Sequence, residues 1–306
     1  MAGLFGFGDY TKPGKGIDKD APKKRSIFLF FELIGRKFSK LIGLNFLYLI
    51  TIIPTFIVVF LLSGFISSYI VDTFSPIMAE LSGLTQEGAL VNEEFMHLTI
   101  YFDLIIRTLI SVLFTILWGM GPVTAGFTYV LRNYAREEHA WLVSDFFSYT
   151  KTNFKQSIIV WLIDIVMFFV LFNAYRFYAV QNGVLSIMKY FILSIAIVYT
   201  MMHFYIYQIM ITFELPLKQI YRNSFILALG KLPRNVLILI SLLFVSLVLP
   251  VISIYSSNFI VCILIYVAVL ILILFSLSGF LTNFFIYPVI KKEMLSKVDP
   301  EKYSNN

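Results

Sequence analysis

The apolar positions of this chain are gathered into six long runs separated by short polar segments, at roughly residues 41–71, 104–131, 157–180, 187–213, 236–255 and 259–290. Each run is continuously apolar over the ~20 residues that a helix needs to cross the hydrocarbon core of a bilayer. Strands of a membrane barrel would instead alternate apolar and polar positions over about ten residues. The pattern therefore predicts an all-α fold, a polytopic membrane helix bundle of about six transmembrane helices. The first and last runs are long enough to tilt or to include an interfacial turn.

Three of the intervening segments mix apolar and basic residues and each leads into a run. They are FELIGRKFSKLIGLN before the first, FSYTKTNFKQSIIV before the third and ILALGKLPRNVLIL before the fifth. Phe31 and Phe38, Phe147 and Phe154, and Ile226 and Pro233 are each seven apart. This reads as three units, each an amphipathic cytoplasmic helix feeding a two-helix hairpin. Amphipathic helices at headgroup depth carry the same basic and aromatic residues without any repeat. Residues 1–25 are polar and rich in Gly and Lys and read as a flexible cytoplasmic tail, with a second short tail at 296–306. Neither a cleavable signal peptide nor its small-residue cleavage site is visible at the start.

Composition agrees with the pattern. Hydrophobic residues make up 59% of the chain and charged ones 14%, against about 25% charged in an average soluble domain. Charge then orients the bundle. Of 24 Lys and Arg, nine lie in residues 1–40, and four lie in each of the segments 132–155, 218–234 and 291–302. The first intervening loop, 72–103, has none and carries six acids, Asp72, Glu80, Glu87, Glu93, Glu94 and Asp103. Basic loops stay inside the cell, so both termini are expected in the cytoplasm and the protein in the cell membrane. The net charge of +6 is accounted for in this way, and no nucleic-acid partner is expected. The acidic loop has the signals of a short helix over 75–84, with Ser75 as N-cap, Pro76 in the first turn and Gly83 at its end.

Two places could carry chemistry. The second run contains WGMGPVTAGF, in which Pro122 lacks a backbone donor and Gly119, Gly121 and Gly126 permit close backbone approach. A break here is predicted. Such breaks form substrate sites in many transporters, and they also serve as plain kinks in tight helix packing. Asp164 is the acid placed well inside a run, about 10 Å from its end at 1.5 Å per residue. A carboxylate at that depth costs at least about 2.5–3.5 kcal/mol unless paired or wetted. The antiparallel fourth run sets His203, Tyr207 and Gln208 at a similar depth, so Asp164 is expected to bond one of them. The pair would be either a proton or substrate site or a polar clamp between helices. Arg107 is expected to reach the interface or to pair with Asp103, four residues earlier, and Pro216 to end the fourth run.

No enzyme is expected. His97, His139 and His203 are far apart and none fits H-E-x-x-H, and neither G-x-S-x-G nor a phosphate-binding P-loop is present. The single cysteine, Cys262, excludes an internal disulfide and a Cys-rich metal site. No cofactor or metal is expected.

The stretch GPVTAGFTYVLRNYAREEHAWLVSDFFSYTKTNFKQSIIVWL (Gly121–Leu162), the opening GLFGFGDYTKPGKG…DAPKKR, and FELPLKQIYRNSFILALGKLPRN (Phe213–Asn235) resemble the YesL-like family. Similar proteins are multi-span membrane proteins of Gram-positive bacteria, forming a domain of unknown function, often encoded beside carbohydrate-uptake transporters. The resemblance implies an accessory role in sugar import, with subunits of a carbohydrate ABC transporter as partners. It defines no catalytic residue. A stand-alone secondary transporter of a small solute and a signalling or assembly scaffold are the alternatives. Besides the lipid bilayer and these subunits, a second copy of the chain is left open as a partner.

Overall fold

Helix forms wherever the chain is continuously apolar, because a backbone in lipid must satisfy its polar groups within its own segment. A computed structural model describes residues 26–85, 88, 92–256 and 258–298, and no strand occurs among them. The expected tail at 1–25, residues 299–306 of the other tail, and Glu87 lie outside the described residues. Six helical stretches are long and apolar enough to cross a membrane, Ile27–Leu81, Glu93–Leu117, Phe154–Ala179, Gly183–Met210, Leu232–Ser253 and Phe259–Val298. The protein is thus a multi-pass helical membrane protein. Side chains on the outward faces of these helices are apolar and bare, as at Phe65, Leu237 and Phe244, each about two-thirds exposed, which suits lipid as their solvent.

Helix α1 runs unbroken over Ser26–Leu81, about 84 Å at 1.5 Å per residue. It joins the amphipathic start, the first crossing and the beginning of the acidic loop in one rod. Ser75 is therefore no N-cap, and Pro76 sits inside the helix. Asp72, whose carbonyl Pro76 leaves without a donor, is exposed, so solvent can take that carbonyl and the helix continues. The positive φ of Gly83, 70°, belongs to the turn that ends α1. Helix α2 spans Glu93–Leu117 and starts earlier than the apolar run because Asn92 caps it, accepting from the Phe95 N–H at 2.9 Å. Glu93 and Glu94 in its first turn favour the same start.

The second run is two helices. They are the end of α2 and the following α3, Pro122–Ala135; α4, Leu142–Thr152, comes after the run. Helix α5, Phe154–Ala179, and α6, Met188–Met210, form the next hairpin. Helix α7 is Leu217–Gly230, α8 is Leu232–Tyr255, and the last crossing is α9, Phe259–Val269, continued by α10, Phe275–Ile290, through a π-helical turn at Leu270–Leu274. Amphipathic segments precede the third and fifth crossings as separate helices, α4 and α7. Before the first crossing the segment is the start of α1 itself. Phe31, Phe38, Phe147, Phe154 and Ile226 are all exposed.

Helix α3 is the buried centre of the basic end. It packs against α1, α4, α5, α6 and α10, and eleven of its fourteen residues are buried. Gly126 makes the α3–α4 crossing: a methyl group there would overlap the Phe146 carbonyl and the Thr150 hydroxyl. Gly279 of α10 plays the same part against Leu131 and Phe127. Small residues let backbones approach where lipid offers no hydrophobic drive between helices.

At the acidic end, Arg107 Nε bonds Asp103 at 2.6 Å, as the spacing predicts. Gly64 leaves room for this guanidinium, since a Cβ there would stand 2.6 Å from Arg107 Nη1. Arg176 lies 4.5 Å over the Tyr69 ring. Helix α6 stops at Met210, ahead of Pro216, which instead caps α7.

Candidate functional site at the helix break

The break reads as a stop signal followed by a start signal. Trp118 is the last residue of α2 in helical conformation, and Gly119 follows with φ of 89°, the left-handed step that closes many helices. Gly121, with φ of 72°, is the N-cap of α3, and Pro122 stands at its first position, where no N–H is needed. Thr124 closes the gap, because its hydroxyl accepts from the Met120 N–H at 2.7 Å. The hydroxyls of Tyr48 and Thr124 lie 3.3 Å apart, which ties the break to α1. Trp161 of α5 fills the space beside Gly121 at 3.3 Å from where a Cβ would be.

Asp164 lies on α5 with no exposed surface. Its Oδ1 meets His203 Nε2 of α6 at 2.8 Å and accepts from the Tyr199 hydroxyl at 2.7 Å. The expectation that Asp164 bonds a polar group of the fourth run is met by His203, and Tyr199 is an addition. Tyr199 is four residues before His203, on the same face of the helix, so that spacing could have disclosed it.

The hydrogen bonds fix the proton count. His203 Nδ1 lies 3.0 Å from the Tyr199 carbonyl, and a carbonyl only accepts, so Nδ1 carries a hydrogen. The contact between Nε2 and Oδ1 then needs one further proton, carried by the ring or by the carboxyl. The two groups together hold a single shared proton and are neutral overall, which suits a site inside lipid. Trp118 links this pair to the break: its ring stacks on His203 with centroids 5.7 Å apart. Its Nε1–H donates to Thr200 Oγ1 at 2.9 Å.

Between the break and α10 lies a cavity of about 60 Å³, whose lining includes Tyr48, Thr124, His203, Tyr207, Gln208 and Asn283. Such a volume has room for a small cluster of waters. Several of its polar atoms have no hydrogen-bond partner among the described residues: the Tyr207 hydroxyl, both amide atoms of Gln208 and Asn283 Oδ1. Asp164 Oδ2 is in the same state. Of the residues singled out in the sequence, Asp164 and His203 are bonded to each other, while Tyr207 and Gln208 reach the cavity without joining that pair. Gly119 and Gly121 shape the break, Pro122 starts α3, and Gly126 serves the α3–α4 crossing one turn away. Tyr48 and Asn283, from the first and last crossings, complete the lining and carry no local sequence signal. No cluster of His, Cys, Asp or Glu suited to a metal ion occurs among the described residues.

Residues 89–175 match a family model described as "Protein of unknown function, DUF624". The matched part contains the break and Asp164, and it ends before His203. No curated protein matches the chain, and no solved structure matches it.

Proposed function

We propose that this protein is a non-enzymatic accessory subunit of a carbohydrate importer in the cell membrane of a Gram-positive bacterium, with both termini in the cytoplasm. Its similarity to YesL-like proteins supplies the biological setting, and the match at residues 89–175 is compatible with it. The observation that carries the reading is the size of the cavity at the break. At about 60 Å³ it is far below the roughly 300–1,000 Å³ of ordinary small-molecule sites, so a sugar does not fit there. The protein acts beside the carrier and catalyses no reaction. The amphipathic helices α4 and α7 are the contact surfaces, with Phe147, Phe225 and Ile226 exposed on them and Trp141 exposed at the start of α4. The partners are subunits of a carbohydrate ABC transporter.

Purification from native membranes tests this. Co-purification of a sugar permease or its ATPase, together with slower sugar uptake on deletion, is the expected result. Recovery of the chain alone or with itself, and unchanged uptake on deletion, refutes it. The Asp164–His203 pair beside a broken helix favours one second reading, a proton-coupled transporter of a very small solute. In proteoliposomes that reading requires uptake that Asp164→Asn abolishes.

A further inference from the structure

Arg132, in the last turn of α3, is 7% exposed, and no carboxylate lies within ion-pair distance of it among the described residues. Its Nη1 donates to the Thr212 hydroxyl at 2.6 Å. Its guanidinium sits 5.2 Å over the Tyr129 ring, which stacks in turn on Tyr149. Its Nε is buried without a partner. Burial first, and the neighbouring Arg136 second, push the Arg132 guanidinium below its usual range. A buried cation without a counter-charge is costly and calls for an anion.

Thr212, which Arg132 bonds, and Tyr149, which stacks on Tyr129, line a groove of about 790 Å³ between the α4–α5 joint and the α6–α7 turn. Two helices begin there. Helix α5 starts at Asn153 and α7 at Pro216, neither with a side-chain cap. The Asn153 amide is turned back to the Tyr149 carbonyl at 2.9 Å, and a proline has no capping group. The first N–H groups of both helices therefore lack a partner inside their helix, and helix N-termini attract phosphate. Lys151 and Lys155 line the groove, and Glu214 is the acid on its wall.

We propose that this groove is a binding site for a phosphate group, gripped by Lys151 and Lys155, the amide ends of α5 and α7, and Arg132 behind Thr212. The phosphate belongs either to an anionic lipid headgroup or to a soluble phosphate. The site shares α4 and α7 with the proposed contact surface but is lined by residues other than Phe225 and Ile226, and it does not rest on the role in sugar uptake.

Thermal unfolding of the full chain in maltoside micelles, which contain no phosphate, tests it. Inorganic phosphate is added in one arm and phosphatidylglycerol in the other, each against chloride of equal ionic strength. A rise in midpoint of about 4 °C is expected in at least one arm. A rise with inorganic phosphate identifies a soluble ligand, and a rise with the lipid alone identifies a headgroup. The rise is expected to vanish in the double variant Lys151→Gln/Lys155→Gln, whose lysines are exposed and leave folding intact. It is also expected to vanish in Arg132→Gln. No rise in either arm, or a full rise in the double lysine variant, overturns the proposal.

Discussion

Two helices of this bundle are interrupted inside the membrane-crossing part, and the interruptions are finished in different ways. In the last crossing, the π turn at Leu270–Leu274 frees backbone groups. Asn45 of α1, with no exposed surface, meets them. Its amide donates to the Leu270 and Ile271 carbonyls at 3.0 and 2.7 Å, and its Oδ1 accepts from the Ser276 N–H at 3.0 Å. In the second run, the break at 118–121 is closed on its backbone side by Thr124, yet it opens a cavity rimmed by unpartnered atoms: the Tyr207 hydroxyl, both amide atoms of Gln208 and Asn283 Oδ1. A buried polar group without a partner costs about 1–3 kcal/mol. The sealed interruption is a structural joint. The other differs in enclosing a cavity with room for water and lined by several unpartnered polar atoms, which gives it the makings of a site.

The contrast can be broken most forcefully at the proton-sharing pair. Asp164→Ala or His203→Ala removes one partner of a buried pair, and a loss of about 3–5 kcal/mol is expected. It would be read as a lower unfolding midpoint in micelles, and a midpoint within a degree of the parent would show that the pair is not closed in the folded protein. Gly126→Ala is expected to cost about 3 kcal/mol by forcing α3 and α4 apart, with accelerated proteolysis of α4 as its signature. Asn45→Leu is expected to cost about 1–3 kcal/mol, since two carbonyls and one N–H lose their partner in lipid. The sharpest comparison is Gln208→Leu. It removes two unpartnered atoms, so stability is expected to hold within about 0.5 kcal/mol or to rise, while a functional cavity would lose its activity. A clear loss of stability in Gln208→Leu would make that residue a joint like Asn45.

The break was legible because its signals are local. A Trp-Gly stop and a Gly-Pro start lie within five residues, and each acts through its own φ and missing donor. The bond between Asp164 and the fourth run was legible for a different reason: depth in a bilayer is counted in residues, so antiparallel neighbours can be matched. Asn45 was not legible, because its role depends on a π turn more than two hundred residues away. The groove beside Arg132 was hidden likewise. It exists because the α4–α5 joint and the α6–α7 turn meet.

What the amino-acid order determined alone is the solvent and the count: six apolar stretches must be helices because lipid offers backbone groups no partner. Where helices stop was also written locally, in Gly119, Gly121 and Pro122. Which polar groups meet was decided only by tertiary packing. The glycine crossings at Gly126 and Gly279 set how closely the helices approach, and a shift of one helical turn, about 5.4 Å, would separate every pair described. Polar contacts in a membrane reach about 3 Å, and no local pattern fixes a distance that short between helices far apart in the chain.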